Sequence, residues 1–186
     1  MNNASQQQKV EEIVREADLH KYIRDIPDFP KEGIIFKDIT TLLQHPQAFR
    51  SAVDSLYKKF EGQVIDHVVA IESRGFIFGG ALAYKLGAGF VPVRKKGKLP
   101  AETRSVTYEL EYGTDELEIH TDALQAGQRV IIVDDLLATG GTAQAVARLV
   151  GHFKAELVGI AFLIDLTFLK GREKLQGLPV FSIIDF

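Results

Sequence analysis

One segment concentrates the residues able to do chemistry. Residues 130–143 read Val-Ile-Ile-Val-Asp-Asp-Leu-Leu-Ala-Thr-Gly-Gly-Thr-Ala: an apolar run, an acidic pair, a small-residue loop, then the start of a helix. Ligands of open α/β sheets bind beyond the carboxyl ends of the strands. The loop of Ala138, Thr139, Gly140, Gly141 and Thr142 can turn backbone N–H groups toward an anion. Its two hydroxyls add donors, and the following helix adds roughly half a positive charge. By chemistry this is a phosphate cradle. It is not a Walker A loop, because no Gly-Lys-Ser/Thr follows, and it lacks Gly-x-Gly-x-x-Gly. Asp134 and Asp135 suit the diol of a ribose. Adjacent strand residues point to opposite faces, so the two chelate one metal ion only if the strand ends irregularly there. Two readings stand side by side: a capped βα turn with a solvated acidic pair, and a site for a ribose 5-phosphate.

Four further groups draw notice. Glu72-Ser73-Arg74-Gly75-Phe76 combines a glycine that permits close backbone approach with an arginine fork suited to pyrophosphate, or is simply a capped helix start. Arg94, Lys95, Lys96 and Lys98 form the densest basic cluster. A solvated basic face is the ordinary reading, and no interleaved aromatics offer stacking for single-stranded nucleic acid. Glu111 is one acid among several between positions 102 and 118, and composition alone leaves it on the surface. Ile34-Ile35-Phe36-Lys37 reads as a hydrophobic plug. The five histidines show no metal-ligand spacing, and no metal ligand is assigned.

The elements that must position these groups alternate. Residues 67–71, 89–94, 129–133, 155–164 and 180–184 are strand candidates; 76–86 and 143–150 are helical. A further helix runs from Pro46 to about Phe60, and Val10, Ile13, Val14 and Ala17 mark a helical face that ends before Pro27 and Pro30. The pattern predicts an α/β fold with a mostly parallel sheet covered by helices. Residues 106–110 and 116–119, separated by Gly113-Thr114-Asp115, read as an inserted antiparallel hairpin, and 29–36 as a loop-like apolar stretch. With 186 residues, 46% hydrophobic and 25% charged, the chain fits a single domain with room for a small subdomain. The absence of cysteine excludes disulfides and thiolate chemistry. A net charge of −3 argues against bulk electrostatic binding to nucleic acid. No apolar run approaches the ~18 residues of a membrane span, and residues 1–10 do not read as a secretory signal, so a cytoplasmic protein is expected.

The run from Val133 to Thr142 resembles the phosphoribosyl-pyrophosphate signature of type I phosphoribosyltransferases, in the form used by their adenine-specific branch. Phe29-Pro30, Gly33 through Ile39, Ser73 through Phe76, Arg94 through Pro100, Leu110-Glu111-Tyr112-Gly113 and Leu169 through Leu175 extend the likeness over roughly residues 27–185. The resemblance implies the type I core with a mostly parallel sheet flanked by helices, the inserted hairpin loop and a small N-terminal hood. On that basis residues 1–9 are a flexible tail, 10–45 the N-terminal helix and base-binding hood, and 46–186 the phosphoribosyltransferase core. It implies transfer of a phosphoribosyl group to adenine in purine salvage, giving AMP and pyrophosphate, with Mg2+ held mainly by substrate, in a homodimer. Residue by residue, it assigns Glu111 to catalysis with Tyr112 beside it. Ile35, Phe36 and Lys37 receive the base, although some relatives carry Arg at the Lys37 position. Ser73, Arg74, Arg94 and Lys98 receive the pyrophosphate, with Lys95 and Lys96 left solvated. Asp134 and Asp135 take the ribose hydroxyls, and residues 138–142 the 5-phosphate. It also implies a non-proline cis bond at Glu72–Ser73.

Overall fold

The structure, a computed structural model, describes residues 14–109 and 114–186. The expected tail at 1–9, with Val10 and Ile13, and the pair Glu111 and Tyr112 lie outside the described residues. The chain forms two compact units that meet in sequence at Ala52 and Val53.

In the first unit the helical face expected around Ala17 is a 3-10 helix at Glu16–Tyr22, with Leu19 fully buried. Asp18 pairs with Arg15 at 2.9 Å and with Lys21 at 2.6 Å. Three-residue spacing is the one a 3-10 turn eclipses, so these charges favour it over an α-helix. The stretch expected to be a loop contains half of a short antiparallel pair, β1 (Arg24–Pro27) with β2 (Ile35–Asp38). Charge holds it where apolar patterning gives no sign. Arg24 faces Asp38 and Asp25 faces Lys37 across the strands, with ion pairs of 2.5 and 2.8 Å. The Thr40 backbone N–H, then the Arg24 guanidinium, hold the Asp38 carboxyl at about 2. Helix α1 (Thr40–Gln44) follows, and α2 (Pro46–Lys58) carries the chain into the second unit.

The second unit is a seven-stranded sheet with its helical crossovers. Its elements are β3 (His67–Ile71), α3 (Gly75–Leu86), β4 (Gly89–Lys95), β5 (Thr103–Glu109), β6 (Thr114–His120), β7 (Arg129–Leu137), α4 (Gly141–Gly151), β8 (Glu156–Asp165) and β9 (Val180–Asp185). The strand order is β5-β6-β4-β3-β7-β8-β9. Strands β3, β4, β7, β8 and β9 run parallel, while β5 and β6 form the antiparallel insertion expected from the sequence. Val68 to Ala70, Val130 to Val133 and Ile160 to Ile164 are buried continuously, as strands are when helices flank a parallel sheet. Phe78 and Leu82 from α3 and Val146 and Leu149 from α4 complete the buried layer.

Helix α3 lies so close to β3 that a Cβ on Gly79 would stand 2.5 Å from the Ala70 Cβ. Two effects oppose one another at this position. Alanine favours a helix over glycine by about 0.5–1 kcal/mol, but forcing a methyl into a filled core costs about 1–3 kcal/mol. The clash wins, so Gly79→Ala is expected to lower the urea midpoint with an unchanged denaturant slope. A midpoint at or above wild type would show that α3 can move off the sheet at little cost.

Candidate active site

Strand β7 runs on to Leu137, past the expected end at Val133, because β8 continues to pair with it. Asp134 faces Phe162, Leu136 faces Ile164 and Leu137 faces Asp165, without a register shift. The irregular strand end that joint metal chelation by Asp134 and Asp135 requires is therefore absent. Beyond Leu137 the chain turns through Ala138 and Thr139 to Gly140, whose φ of +78° starts α4. The first amides of an 11-residue helix are left pointing into this turn. A cavity of about 80 Å³ lies there, lined by Asp134, Phe162 and the turn itself. That is far below the roughly 300–1,000 Å³ of a pocket for a whole drug-sized ligand, so it takes one small group.

The acidic pair meets the start of α3. A Cβ on Gly75 would stand 2.7 Å from Asp134 Oδ1 and 3.1 Å from the Val133 carbonyl oxygen, so only glycine fits. Arg74 Nη2 lies 2.8 Å from Asp135 Oδ2, and Asp135 is 5% exposed. The Asp135 N–H donates to Asp134 Oδ1 at 2.9 Å. A rim of Asp134 remains accessible, yet desolvation, then the neighbouring Asp135 charge, push its carboxyl well above the usual range. Burial raises Asp135 as well, with Arg74 pulling the other way. Two acids are thus held against their preference for water.

Just before Arg74, the Glu72–Ser73 bond is cis, as the resemblance implies. Glu72 Oε2 accepts from Arg94 Nε at 2.8 Å and from the Lys95 N–H at 3.2 Å, and Arg94 Nη1 donates to the Lys98 carbonyl at 3.1 Å. Lys95 and Lys96 are exposed, and each also has an acid within reach. They reach the hairpin, where Asp115 lies 3.0 Å from Lys95 and Glu116 2.7 Å from Lys96, and both lysines are pushed up by those acids. Lys98 is exposed. The hairpin also touches the cradle: the Tyr108 hydroxyl is in polar contact with the side chains of Thr142 and Asp115.

The structure therefore brings Ser73 and Arg74 to Asp134 and Asp135, and Arg94 to the residue preceding Ser73. It places Ile35, Phe36 and Lys37 on β2 of the first unit, where Phe36 packs edge-on against Phe29 at 5.2 Å and Lys37 binds Asp25. Sequence reasoning gave no role of their own to Glu72, Tyr108 and Gly171, which meet Arg94, Thr142 and Ala138 from distant segments. Among the described residues no group of three or more His, Cys, Asp or Glu is placed to hold a metal ion.

The model of the phosphoribosyl transferase domain matches residues 38–180. The chain is 60% identical over 171 residues to an adenine phosphoribosyltransferase of Trichormus variabilis, covering 91% of this chain and 99% of that one. Among solved structures, adenine phosphoribosyltransferase from Thermoanaerobacter pseudethanolicus is similar with a TM-score of 0.89 and 57% identity, covering 92% of this chain and 99% of that one. The Saccharomyces cerevisiae enzyme, complexed with adenine and an iminoaltritol bisphosphate, is similar with a TM-score of 0.85 and 46% identity, covering 90% and 97%.

The raised Asp134 carboxyl has a sign that can be checked without ligand. Its folded pKa lies above the ordinary 3.8, so as pH rises the unfolded chain ionises first and the fold loses stability until Asp134 has itself ionised. Asparagine keeps the oxygen that accepts from the Asp135 N–H and never ionises. The stability gain of Asp134→Asn is expected to be small below that ordinary value and to grow as pH rises through the window above it. Thermal melts of the ligand-free proteins from acid to neutral pH measure this; a gain independent of pH contradicts it.

Proposed function

The chain belongs to the phosphoribosyl transferase domain family, and from that premise we propose that it transfers the 5-phosphoribosyl group of phosphoribosyl pyrophosphate to adenine, giving AMP and pyrophosphate, as in purine salvage. The observation that carries the proposal is the turn from β7 into α4: a cavity sized for one phosphate, with two carboxylates immediately before it. The 5-phosphate occupies the turn, receiving N–H groups of residues 138–142 and the hydroxyls of Thr139 and Thr142. Asp134 and Asp135 accept from the ribose hydroxyls, an exchange that replaces part of their lost hydration with charge-assisted hydrogen bonds.

The bond from the anomeric carbon to the pyrophosphate oxygen breaks, and its electron pair leaves with pyrophosphate. A ring nitrogen of adenine forms the new bond and gives up its proton. Positive charge builds on the sugar between these events, and Glu111 is the carboxylate assigned to stabilise it or to receive the proton, with Tyr112 alongside. Ser73, Arg74, Arg94 and Lys98 hold the leaving pyrophosphate. Ile35, Phe36 and Lys37 hold the base: Phe36 by stacking, the backbone at Ile35 by reading its edge. Mg2+, bound largely by pyrophosphate and ribose oxygens, supplies neutralisation of the leaving group. The active form is a homodimer, with the basic loop working partly across the subunit interface. No helix among the described residues is long and apolar enough to cross a membrane.

Pyrophosphate release measured with adenine, guanine, hypoxanthine and xanthine tests the reaction: adenine alone is expected to support turnover, and equal rates with another base would overturn the specificity. Asp134→Asn and Asp135→Asn are each expected to lose charge-assisted bonds of roughly 1.5–3 kcal/mol, a fall in kcat/KM for phosphoribosyl pyrophosphate of about 10- to 150-fold. Wild-type values in both would remove the ribose assignment. Glu111→Ala is expected to lower kcat more than it raises either KM, the pattern of an interaction made in the transition state.

A further inference from the structure

The segment from Leu169 to Leu175 takes no part in the reaction described above, yet it lies directly behind the cradle. It forms two short 3-10 turns, Thr167–Leu169 and Gly171–Leu175, joined at Lys170 with φ of +53°. A Cβ on Gly171 would stand 2.2 Å from the Ala138 carbonyl oxygen, and a Cβ on Gly140 would stand 2.3 Å from the Gly171 carbonyl oxygen. Two backbones therefore touch at the cradle with no side chain between them. The neighbouring Arg172 spreads its fork in three directions: Nε to Asp165 Oδ2 at 2.6 Å, Nη1 to the Val180 carbonyl at 3.0 Å and Nη2 to Ser182 Oγ at 2.6 Å. Ser182 in turn donates to Asp185 at 2.7 Å. Asp165 is 1% exposed at the end of β8, opposite Leu137, the last residue before the cradle. A second tie runs to α4, where Gln144 Nε2 donates to the Lys174 carbonyl at 2.9 Å.

We propose that Arg172 is a positioning residue for the 5-phosphate site: it clamps the Gly171–Leu175 turn to β8 and β9, and the Gly171 backbone then fixes the path of residues 138–140. The inference rests on reading the cradle as the 5-phosphate site. Its physical basis is that backbone N–H donors have no side-chain torsions with which to correct their aim. Only the surroundings can hold them, and a misplacement of about 1 Å can cost on the order of 100-fold. A lysine retains the charge opposite Asp165 but not the planar fork that reaches Val180 and Ser182 together.

The test compares Arg172→Met, Arg172→Lys and Gly171→Ala with wild type. Steady-state KM values for phosphoribosyl pyrophosphate and adenine are read beside calorimetric binding of ribose 5-phosphate and inorganic phosphate, with melting temperatures as the control for folding. Arg172→Met and Gly171→Ala are expected to raise the KM for phosphoribosyl pyrophosphate and to weaken ribose 5-phosphate binding about tenfold or more, leaving the adenine KM within about twofold, with Arg172→Lys between Met and wild type. A role in general stability alone would shift both substrates together or neither. Folded Arg172→Met and Gly171→Ala proteins with wild-type ribose 5-phosphate affinity overturn the proposal. Should Arg172→Met fail to fold, Ser182→Ala removes one acceptor of the fork and keeps the ion pair; a rise of about threefold in the same KM supports the clamp, and no change overturns it. A wild-type protein that makes no AMP would defeat the functional reading, while ribose 5-phosphate and phosphate binding by the variants would still decide the clamp.

Discussion

Two carboxylates at the inner end of a buried strand are the constraint around which this site is arranged. Asp134 and Asp135 occupy the central sheet, where ionised groups lose hydration and repel one another. Nothing in the fold removes that cost for both. Arg74 reaches Asp135, and the Asp135 N–H donates to Asp134 Oδ1. Breaking such an arrangement into hydrophobic residues would often stabilise a protein. Keeping it makes sense where a ligand bearing hydroxyl donors completes the bonding, which is the chemistry the proposed ribose would bring.

The other elements follow from holding that pair in place. Gly75 is without a side chain because Asp134 fills the space, which lets α3 begin within reach of both acids. Arg74 is then aimed at Asp135 by its position one residue earlier. Glu72, at the end of the preceding strand, fixes Arg94 and the Lys95 backbone, so the basic loop is tied to the same corner. On the far side, the cradle's path is set by backbone contact at Gly140 and Gly171. Close approach without side chains recurs at both walls of the site. Such contacts transmit position rigidly because packed backbone has no rotamers through which to relax.

This logic also explains which parts were legible in the sequence. Val130 to Val133 and Ile160 to Ile164 announce buried parallel strands through unbroken apolar runs, and Thr139-Gly140-Gly141-Thr142 announces a turn into a helix. The acidic pair misleads at the boundary: charge after an apolar run reads as a strand end, whereas β8 pairing carries β7 on to Leu137. The β1–β2 pair is hidden for a related reason, since its cross-strand partners are Arg24 with Asp38 and Asp25 with Lys37 rather than apolar residues. The ion pairs of exposed Lys95 and Lys96 are hidden because their acids, Asp115 and Glu116, lie twenty residues away in sequence and become neighbours only when β6 pairs with β4. Gly171 shares in the family likeness of residues 169–175, but its contact with Gly140 is not legible in the sequence, because the two are thirty-one positions apart.

Charge accounting across the site leads to a final point about how pyrophosphate is accommodated. Four of the cations gathered there already face acids, Arg74 with Asp135, Arg94 with Glu72, Lys95 with Asp115 and Lys96 with Glu116, while Lys98 is exposed. A paired cation presents little net field to an incoming polyanion, and the chain as a whole carries −3. Beyond Lys98, a highly charged diphosphate draws on exchange within these pairs or on positive charge that arrives with the ligand. Exchange suits Lys95 and Lys96, whose pairs sit at the exposed edge, where water screens them. It suits Arg74 poorly, because its release would leave the buried Asp135 without a counter-charge, so Arg74 would meet pyrophosphate through guanidinium donors other than the Nη2 that faces Asp135. A divalent cation bound to the substrate supplies the missing charge without disturbing that buried pair. The proposed Mg2+ and the sequestered Arg74–Asp135 pair are thus two halves of one electrostatic arrangement.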